Sequence, residues 1–485
     1  MPRGNPLDIA DGALGQVTER LIITHHRRRL RRVGWTHALD AHGDLWATGE
    51  PPPRPGNAVQ VLIDGEPALA AMADAMRSAR SHVHITGWHI TADFPLTRGD
   101  RPAVLEELLR ELAGRIEVRI LIWAGAPLPL LRPWRGDVRR VRDRLVAGSR
   151  IQCALDARER PMHCHHEKTI VIDDRIAFVG GIDLTSFQGD RWDRVDHPVR
   201  SADGWHDVAV RLEGPVVEDV AENFRFRWEA TTGEPLPRSR SHVPSVPAGT
   251  TEVQIVRTMP DHMYRQRPNG DFRILEVYLT ALRSAQRFIY LENQYLWSPE
   301  ILEVLRAKVA NPPVPDFRLL LLLPSRPTEG GDDTRGQLGT LVQADDGRGR
   351  LLACTIYAIG EQADRPVYVH AKVGIVDDAW MTIGSANLNE HSLFNDTEMN
   401  VVIREPSLIR ETRLRLWTEH LDRPSKELDA SAATIIDSLW KPIAEEQAER
   451  RRRGQRLTHG LVTLPGVSRR SRLMLGPLQG LVVDA

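Results

Sequence analysis

The chain has 485 residues, of which 27% are charged and 41% hydrophobic; this is an ordinary globular composition in a chain too long for one typical domain. The formal net charge of −1 gives no overall attraction to nucleic acid or to an anionic membrane, so any such attraction must be local. Three widely separated cysteines exclude a disulfide framework, and the longest aliphatic run, LLLLL at 319–323, is too short to cross a bilayer. With no signal-peptide pattern at the start, these features predict a cytoplasmic protein.

The first 55 residues are an N-terminal leader with a basic run, HHRRRLRR at 25–32. A charge run is most often the solvated face of a helix, and this interpretation is favoured. Binding of anionic lipid headgroups is the alternative, in which each basic residue near the surface contributes roughly 1 kcal/mol. The cluster PPPRPG at 51–56 then marks a boundary.

The rest of the chain contains a repeat. A pattern typical of an amphipathic helix leading into a strand occurs at 75–85 and again at 281–291. Each copy continues with an apolar strand pattern, at 118–123 and at 317–323. The sequence therefore predicts an internally duplicated α/β protein. Its predicted parts are the leader (1–55), a first half (56–235), a linker rich in Pro and Ser (236–250), a second half (251–425) and a C-terminal helical extension and tail (426–485), whose apolar segments 473–475 and 478–482 are expected to pack on the core.

Each half also carries the same ionisable motif. HEKTIVID at 166–173 is followed by GGID at 180–183, and HAKVGIVD at 370–377 is followed by GSAN at 384–387. Both copies read H-x-K-x4-D-x6-G-[GS]-x-[DN], and chance does not explain a double match at one spacing. Residues two apart on a strand share a face, so a strand would project His166 beside Lys168, and His370 beside Lys372.

Two imidazoles and two ammonium groups brought together suit a phosphate diester. The lysines neutralise its oxygens, one histidine attacks phosphorus, and the other protonates the leaving oxygen. Asp173 and Asp377 complete the catalytic motif, but their odd offset from the histidine favours a structural role at the turn.

The paired motif resembles that of the phospholipase D superfamily, phosphodiesterases and phosphatidyltransferases whose two halves are α-β-α sandwiches packed around one shared active site. Four further stretches resemble the eukaryotic-type phospholipases D over residues 57–425. They are FIYLENQYL at 288–296, GGIDL with GDRWD within 180–193, WHDV with EGPV within 205–216, and YVHAK with IGSANLN within 368–389. No C2 domain pattern accompanies them, so calcium dependence is not expected.

The resemblance implies a phospholipase D that needs no metal or cofactor. Such an enzyme converts phosphatidylcholine or a related lipid to phosphatidate and an alcohol through a phosphohistidine, which an added alcohol can also resolve. The family pattern makes His166 the nucleophile and His370 the acid, although the residues alone do not distinguish them. It further implies that Asp207 and Glu398 orient the two histidines. The phosphate pocket is expected to be lined by Gly181, Asp183, Ser385 and Asn387, with Asp183 replacing the more usual Asn as in the eukaryotic-type enzymes.

Other functions are weighed against this one. Cardiolipin or phosphatidylglycerol-type phosphatidyltransferases commonly begin with transmembrane helices, for which this sequence has no pattern. Nucleases of the superfamily are often single-motif halves that dimerise, and a marked basic surface would be expected. A non-catalytic lipid-binding protein would have no need of two intact motifs. The expected partners are a phospholipid substrate and a membrane surface contacted peripherally, with the chain a monomer and nucleic acid not expected.

Metal binding is the last question that the sequence raises. The run MHCHH at 162–166 suggests zinc, but strand alternation would turn His163 and His165 away from His166. Acidic residues at 332–333, after Gly331, and at 345–346 suggest calcium, yet they lack an EF-hand pattern. A mobile surface loop at the site entrance is predicted instead. No metal site is predicted. Trp88, Trp123 and Trp297 lie on predicted strand ends near the site; they are interpreted as core residues, and the lining of an acyl channel is the alternative.

Overall fold

The computed structural model describes residues 6–129, 132–160, 163–237, 247–325 and 331–464. Most of the predicted linker and both apolar segments of the tail lie outside these ranges. Two helices precede the first sheet, α1 (Pro6–Arg32) and α2 (Thr36–Leu39).

The first half alternates strands and helices as the repeat predicts. In chain order its elements are β1 (Arg54–Ile63), α3 (Gly65–Arg77), β2 (His82–Gly87), α4 (Leu105–Ala113), β3 (Glu117–Trp123), α5 (Arg135–Val146), β4 (Gln152–Asp156), β5 (Thr169–Ile172), β6 (Ile176–Gly180), β7 (Trp205–His206), β8 (Val208–Glu213) and α6 (Val217–Thr232).

The second half repeats this series and continues beyond it. Its elements are β9 (Thr251–Met259), β10 (Asp271–Phe272), α7 (Arg273–Ser284), β11 (Phe288–Glu292), α8 (Pro299–Ala310), β12 (Arg318–Leu322), α9 (Gly331–Asp345), β13 (Leu351–Ala358), β14 (Arg365–Pro366), β15 (Tyr368–Val369), β16 (Val373–Val376), β17 (Trp380–Gly384), β18 (Glu398–Ile403), α10 (Pro406–Leu421), α11 (Ala432–Ile435), α12 (Lys441–Arg452) and β19 (Leu461–Thr463). Short π-helical segments lie at His391–Asn395 and Ile436–Trp440, and a 3₁₀ turn at Ser425–Leu428.

The two sheets have the same topology, which establishes the internal duplication. The first has the order β1-β8-β6-β5-β2-β3-β4, antiparallel up to β2 and parallel from β2 to β4. The second has the order β9-β18-β17-β16-β11-β12-β13 with the same directions, and β19 is added antiparallel to β13. The sheets meet edge to edge where β1 pairs with β9.

Side-chain alternation along the strands divides the core into layers. On β1, Val61 and Ile63 belong to a core shared by both halves, whereas Leu62 belongs to the core under α3 and α4. On β11, Tyr290 faces the shared core and Ile289 packs under α7 and α8. Because successive strand residues point to opposite faces, one sheet face of each half is buried against the other half and the other face against helices. The duplicated α/β fold predicted from the sequence is confirmed.

The basic run at the end of α1 is partly buried, so the prediction of a solvated face is wrong for two of its members. His26 Nδ1 lies 2.7 Å from Glu300 Oε1, and its ring stacks on Phe394 with centroids 3.8 Å apart. The Arg29 guanidinium donates to Asp261 Oδ1 at 2.7 Å and to Asn395 Oδ1 at 2.7 Å. These contacts dock α1 on the second half. Arg28, Arg31 and Arg32 remain exposed.

Two other predictions about the second half have different outcomes. The helix predicted after residue 432 is present, as α11, the π-helical segment and α12 in succession. The mobile acidic loop predicted at 331–346 is wrong, because those residues form α9 up to Asp345. At its end the Asp345 carboxylate accepts the amide hydrogens of Gly349 and Arg350 at 2.9 and 2.8 Å. Asp345 therefore serves the turn into β13.

Candidate active site

The motif histidines and lysines lie immediately before strands rather than on them, which corrects the strand argument. Strand β5 begins at Thr169 and β16 at Val373, so both His-x-Lys segments are extended lead-ins. Each lead-in is hydrogen bonded to the opposite half. His166 N donates to Thr397 O at 2.9 Å, and His370 N donates to His206 O at 2.8 Å.

Each motif histidine has a carboxylate partner, and that partner comes from the other half of the chain. His166 Nδ1 lies 2.9 Å from Glu398 Oε1, and His370 Nδ1 lies 2.6 Å from Asp207 Oδ2. All four residues are buried. A carboxylate on Nδ1 fixes the ring and its tautomer, so in both histidines Nε2 remains for a substrate.

The two carboxylates are themselves held in place. Glu398 accepts hydrogen bonds from Ser385 Oγ and Ser392 Oγ, both at 2.5 Å. Asp207 Oδ1 accepts the amide hydrogen of Val208 at 2.8 Å. A Cβ added at Gly181 would lie 2.1 Å from Asp207 Oδ1, so only glycine leaves room for this carboxylate. Ser385 and Gly181 occupy the same motif position and both serve the carboxylate of their own half.

The two motif lysines have different surroundings. Lys168 Nζ lies 3.0 Å from Asp183 Oδ2 and donates to His166 O at 2.9 Å. Lys372 Nζ donates to Gln294 Oε1 at 3.3 Å and also to the carbonyl of His370. Asn387, which takes the motif position of Asp183, donates to the same Gln294 oxygen at 3.3 Å. The first lysine is therefore ion paired with Asp183, and the charge of the second acts on Asp207, whose pKa it lowers against the effect of burial.

Both histidines line one small pocket. The lining comprises residues of both halves: Trp88, His166, Asp183, Gln188, Arg191, Trp205, Gln294, Tyr295, His370 and Asn387. Two aromatic rings pack in succession beside His370. The ring centroid of Trp205 lies 4.5 Å from that of His370 and 4.7 Å from that of Tyr368.

Asp173 and Asp377 are placed at the far ends of β5 and β16 from the histidines. Asp173 accepts the amide hydrogens of Arg80, Ser81 and His82 at 2.7–3.0 Å. Asp377 accepts those of the corresponding residues, Gln286, Arg287 and Phe288, at 2.6–2.8 Å. Each carboxylate thus caps the start of the neighbouring strand, which agrees with the structural role argued from the offset and not with a place among the reacting groups.

The charge around His370 is strongly positive. Burial lowers the pKa of His370 well below its usual value, and the neighbouring cations Lys372, Arg191 and Lys168 lower it further. Burial also raises the pKa of Asp207 above its usual value. His370 is therefore neutral before an anion enters the pocket.

A second ionisable cluster lies directly behind the Asp207 segment. Asp64, His197, His206 and Glu419 offer nitrogen or carboxylate atoms within 4.8 Å of one another, close enough for one cation. His206 Nδ1, however, lies 2.8 Å from Asp64 Oδ1, and its Nε2 lies 2.9 Å from Glu292 Oε2. Although burial opposes it, these carboxylates raise the pKa of His206 well above its usual value. An imidazolium is not a metal ligand, and in this protonation state the cluster is an ion-pair network.

The MHCHH run does not form a three-histidine site. His165 Nε2 lies 3.1 Å from Asp156 Oδ1, and His166 faces the pocket. His163 is grouped instead with His391 and Asp396, where the two Nδ1 atoms are 3.0 Å apart. The three histidines thus point to three different surroundings.

Comparison with known proteins finds the same family that the paired motif resembles. A family model described as "Phospholipase D" matches residues 199–302, and one described as "Cardiolipin synthase, PLD-like domain" matches residues 278–417. Phospholipase D A of Dictyostelium discoideum is 26% identical over 461 residues, covering 76% of this chain. Phospholipase D2 of Bos taurus is 24% identical and covers 82%; phospholipase D alpha 1 of Oryza sativa subsp. japonica is 25% identical and covers 81%. The chain is therefore similar to members of the phospholipase D superfamily over most of its length.

These superfamily relatives are longer proteins. The matches span 36% of the Dictyostelium enzyme, 56% of the bovine enzyme and 70% of the rice enzyme. Among solved structures, phosphatidylserine synthase of Haemophilus influenzae Rd KW20 aligns at 13% identity with a TM-score of 0.49, covering 82% of this chain and 93% of that one. No described helix has both the length and the apolar character needed to span a membrane.

Sequence reasoning missed several pocket residues. Gln294 and Arg191 lie in the stretches ENQ and GDRW, which were used only to recognise the family. Trp88 lines the pocket, and Trp123 packs on it with ring centroids 6.2 Å apart, so the interpretation of Trp88 as a core residue alone is wrong. A signal was available for Gln294 and Arg191, since both are polar residues within stretches that carry the family resemblance.

Proposed function

We propose that the chain is a phospholipase D, which cleaves the distal phosphodiester of a glycerophospholipid such as phosphatidylcholine and releases phosphatidate and an alcohol. The observation that carries this proposal is the crossed pairing of His166 with Glu398 and of His370 with Asp207 around one pocket. It supplies two oriented imidazole nitrogens at one pocket, whose lining residues Asp183 and Gln294 contact the two motif lysines. The chain is also similar to proteins named phospholipases D.

In the first step, Nε2 of one histidine attacks phosphorus. The new P–N bond forms as the bond from phosphorus to the headgroup oxygen breaks, and the other histidine gives that oxygen its proton. The family pattern makes His166 the nucleophile and His370 the acid. Lys168, Lys372 and Asn387 stabilise the charge on the non-bridging oxygens.

The second step reverses the first with a different oxygen. His370, now neutral, takes a proton from water, whose oxygen forms the new P–O bond as the P–N bond to His166 breaks. An alcohol in place of water gives a transferred phosphatidyl group. The positive field that lowers the pKa of His370 is reduced when an anionic phosphodiester enters, so substrate binding favours the protonated acid that the first step needs.

Contact with a lipid surface is a part of this proposal. The loop between β6 and β7 carries the pocket residues Gln188 and Arg191, and also exposes Val195 and Val199, with 64% and 40% of their surface accessible. Leu128, in the loop after β3, is 55% accessible. Apolar side chains on a loop that lines the pocket fit peripheral insertion between lipid headgroups. The chain is further proposed to act as a monomer, which its mass in solution would test.

The test uses phosphatidylcholine vesicles with added ethanol, and wild type beside His166→Ala, His370→Ala and the control His163→Ala. Mass spectrometry follows choline and phosphatidylethanol. We expect both products from wild type and His163→Ala and at least a 10³-fold loss in the two motif variants, about the effect of removing a general base or nucleophile. An acid quench should trap the phosphatidyl adduct on the peptide that contains His166.

Other results would assign a different function. If wild type leaves phosphatidylcholine intact but joins two phosphatidylglycerol molecules, the chain is a cardiolipin-type phosphatidyltransferase. Cleavage of single-stranded DNA, with both lipids untouched, would make it a nucleic-acid phosphodiesterase. Adduct on His370 in place of His166 would exchange the roles of the two histidines.

A further inference from the structure

Arg191 is a buried cation in the pocket that the mechanism above does not use. It lies in the loop before β7, is 2% exposed, and lines the pocket beside both motif histidines. Its Nη1 donates to Gly189 O at 3.2 Å, and its Nε has no hydrogen-bond partner among the residues that the structure describes. Burying a cation with an unused donor is costly unless a ligand supplies the missing acceptor.

The position of the guanidinium is fixed by an aromatic ring. Its Cζ lies 3.3 Å from the ring centroid of Trp205, and the same indole lies 4.5 Å from the ring of His370. A Cβ added at Gly189 would meet Trp205 Nε1 at 2.0 Å, so this loop follows the indole closely. Trp205 therefore contacts both the Arg191 guanidinium and the His370 imidazole and fixes their positions relative to each other.

The charges around the pocket indicate what the cation at Arg191 contributes. Asp183 cancels the charge of Lys168 at 3.0 Å, both side chains being 3% exposed. The second half has neutral Asn387 at the corresponding position, where it contacts Gln294. Asp183, Asp207 and Asp190 lie close enough to Arg191 to raise its pKa against the effect of burial, with Asp183 the strongest of the three. Arg191 thus restores on the first-half side the positive charge that Asp183 removes.

We propose that Arg191 is a third phosphate-binding cation, whose guanidinium contacts the non-bridging oxygens of the phosphodiester together with Lys168 and Lys372. The inference rests on the proposed function and names one further catalytic residue for it. A planar fork of donors matches two phosphate oxygens in a way that an ammonium group does not. Burial lowers the pKa of Arg191 to about 10, which keeps the guanidinium charged at neutral pH.

The first experiment measures binding without turnover. Isothermal titration of wild type, Arg191→Gln, Arg191→Lys and the control Arg194→Gln with inorganic phosphate gives the affinity of the pocket. Arg194 lies three residues along the same loop, with 43% of its side chain exposed and paired with Asp196. We expect Arg191→Gln to weaken phosphate binding and kcat/KM about 10- to 100-fold, the range for a lost hydrogen bond to a charged group. Arg194→Gln should change neither, and Arg191→Lys should recover part of the loss.

The second experiment separates charge from packing. Asp183→Asn keeps the Oδ1 atom that accepts the amide hydrogen of Trp88 at 3.1 Å, but it releases Lys168 from its ion pair. If Arg191 acts through its charge, adding Asp183→Asn to Arg191→Gln restores phosphate binding at least threefold. A titration of ¹⁵N-labelled histidine by NMR should also show a higher pKa of His370 in Arg191→Gln, because one of the cations that lower it is gone.

The possible results distinguish this inference from the proposed function. Wild type that binds phosphate through Arg191 but turns over no phospholipid would leave the inference standing and remove only the lipid assignment. Folded Arg191→Gln that binds phosphate within twofold of wild type overturns the inference. So does a loss that neither Arg191→Lys nor Asp183→Asn recovers, since Arg191 would then only pack against Trp205.

Discussion

Removing the charge of Asp207 tests the crossed pairing directly. In Asp207→Asn the side chain keeps its size, but His370 Nδ1 loses the anionic acceptor that lies 2.6 Å away. A hydrogen bond to a charged group contributes about 1.5–3 kcal/mol, and the Coulomb energy of two unit charges about 4 Å apart is about 4 kcal/mol at an effective dielectric constant of 20. Taking about 3 kcal/mol, kcat/KM should fall about 10²-fold.

The assay is the initial rate of choline release from a dispersed short-chain phosphatidylcholine, with thermal unfolding of each variant measured in parallel. Asp203→Asn, an exposed carboxylate four residues earlier in the chain, is the matched control and should keep wild-type activity. Loss of the anion also lowers the pKa of His370 further, so the limb of the pH profile that requires protonated His370 should move to lower pH. Folded Asp207→Asn with activity within threefold of wild type would refute the catalytic importance of the pairing.

Three further predictions concern stability and docking. Asp377→Ala leaves three amide hydrogens without their acceptor and should lower the free energy of unfolding by about 3 kcal/mol in urea titrations. The kcat of the folded variant should stay within threefold of wild type. A large loss of kcat would show that Asp377 acts directly in catalysis. Burial lowers the pKa of His89 to about 4, so the unfolded chain binds a proton at higher pH than the folded protein, and the free energy of unfolding should fall as pH drops from about 6.5 to 4. His89→Gln should make the free energy of unfolding depend less steeply on pH in acid unfolding curves. An unchanged dependence on pH would contradict the lowered pKa of His89. Arg29→Ala removes the contacts of α1 to Asp261 and Asn395, so the amide hydrogens of α1 should exchange faster than in wild type. Arg28 is exposed on the same helix, and Arg28→Ala should leave the exchange of α1 unchanged.

The sequence was sufficient for the duplicated fold because its signals are local. Strand patterns, helix patterns and the motif recur in the same order, and each repeat folds into the same sheet order. The motif histidines and lysines were found from spacing alone, although they precede their strands. The glycine of the first motif, Gly181, was assigned to the pocket by resemblance, and the structure gives it a steric reason in the closeness of Asp207.

The crossed pairing could not have been read from the sequence. His166 and Glu398 are 232 residues apart, and His370 and Asp207 are 163 apart, so no periodicity or spacing connects them. The prediction of a solvated face on α1 failed for a related reason. A run of arginines has the same pattern whether the face meets water or a distant carboxylate, and only the tertiary structure places Asp261 beside Arg29.

The crossed pairing also has a consequence for how the two halves can diverge. A half folded alone would present a histidine without its acceptor, so neither could work by itself, and two identical halves would have to associate about a pseudo-twofold axis through the pocket. In such a homodimer, every substitution would be present in both copies of the half. Within one chain the two halves can differ, and they do: Asp183 of the first motif corresponds to Asn387 of the second, and the first half contributes Arg191 to the pocket. Covalent linkage thus lets a symmetric frame bind a phosphodiester whose two ester substituents are chemically unlike.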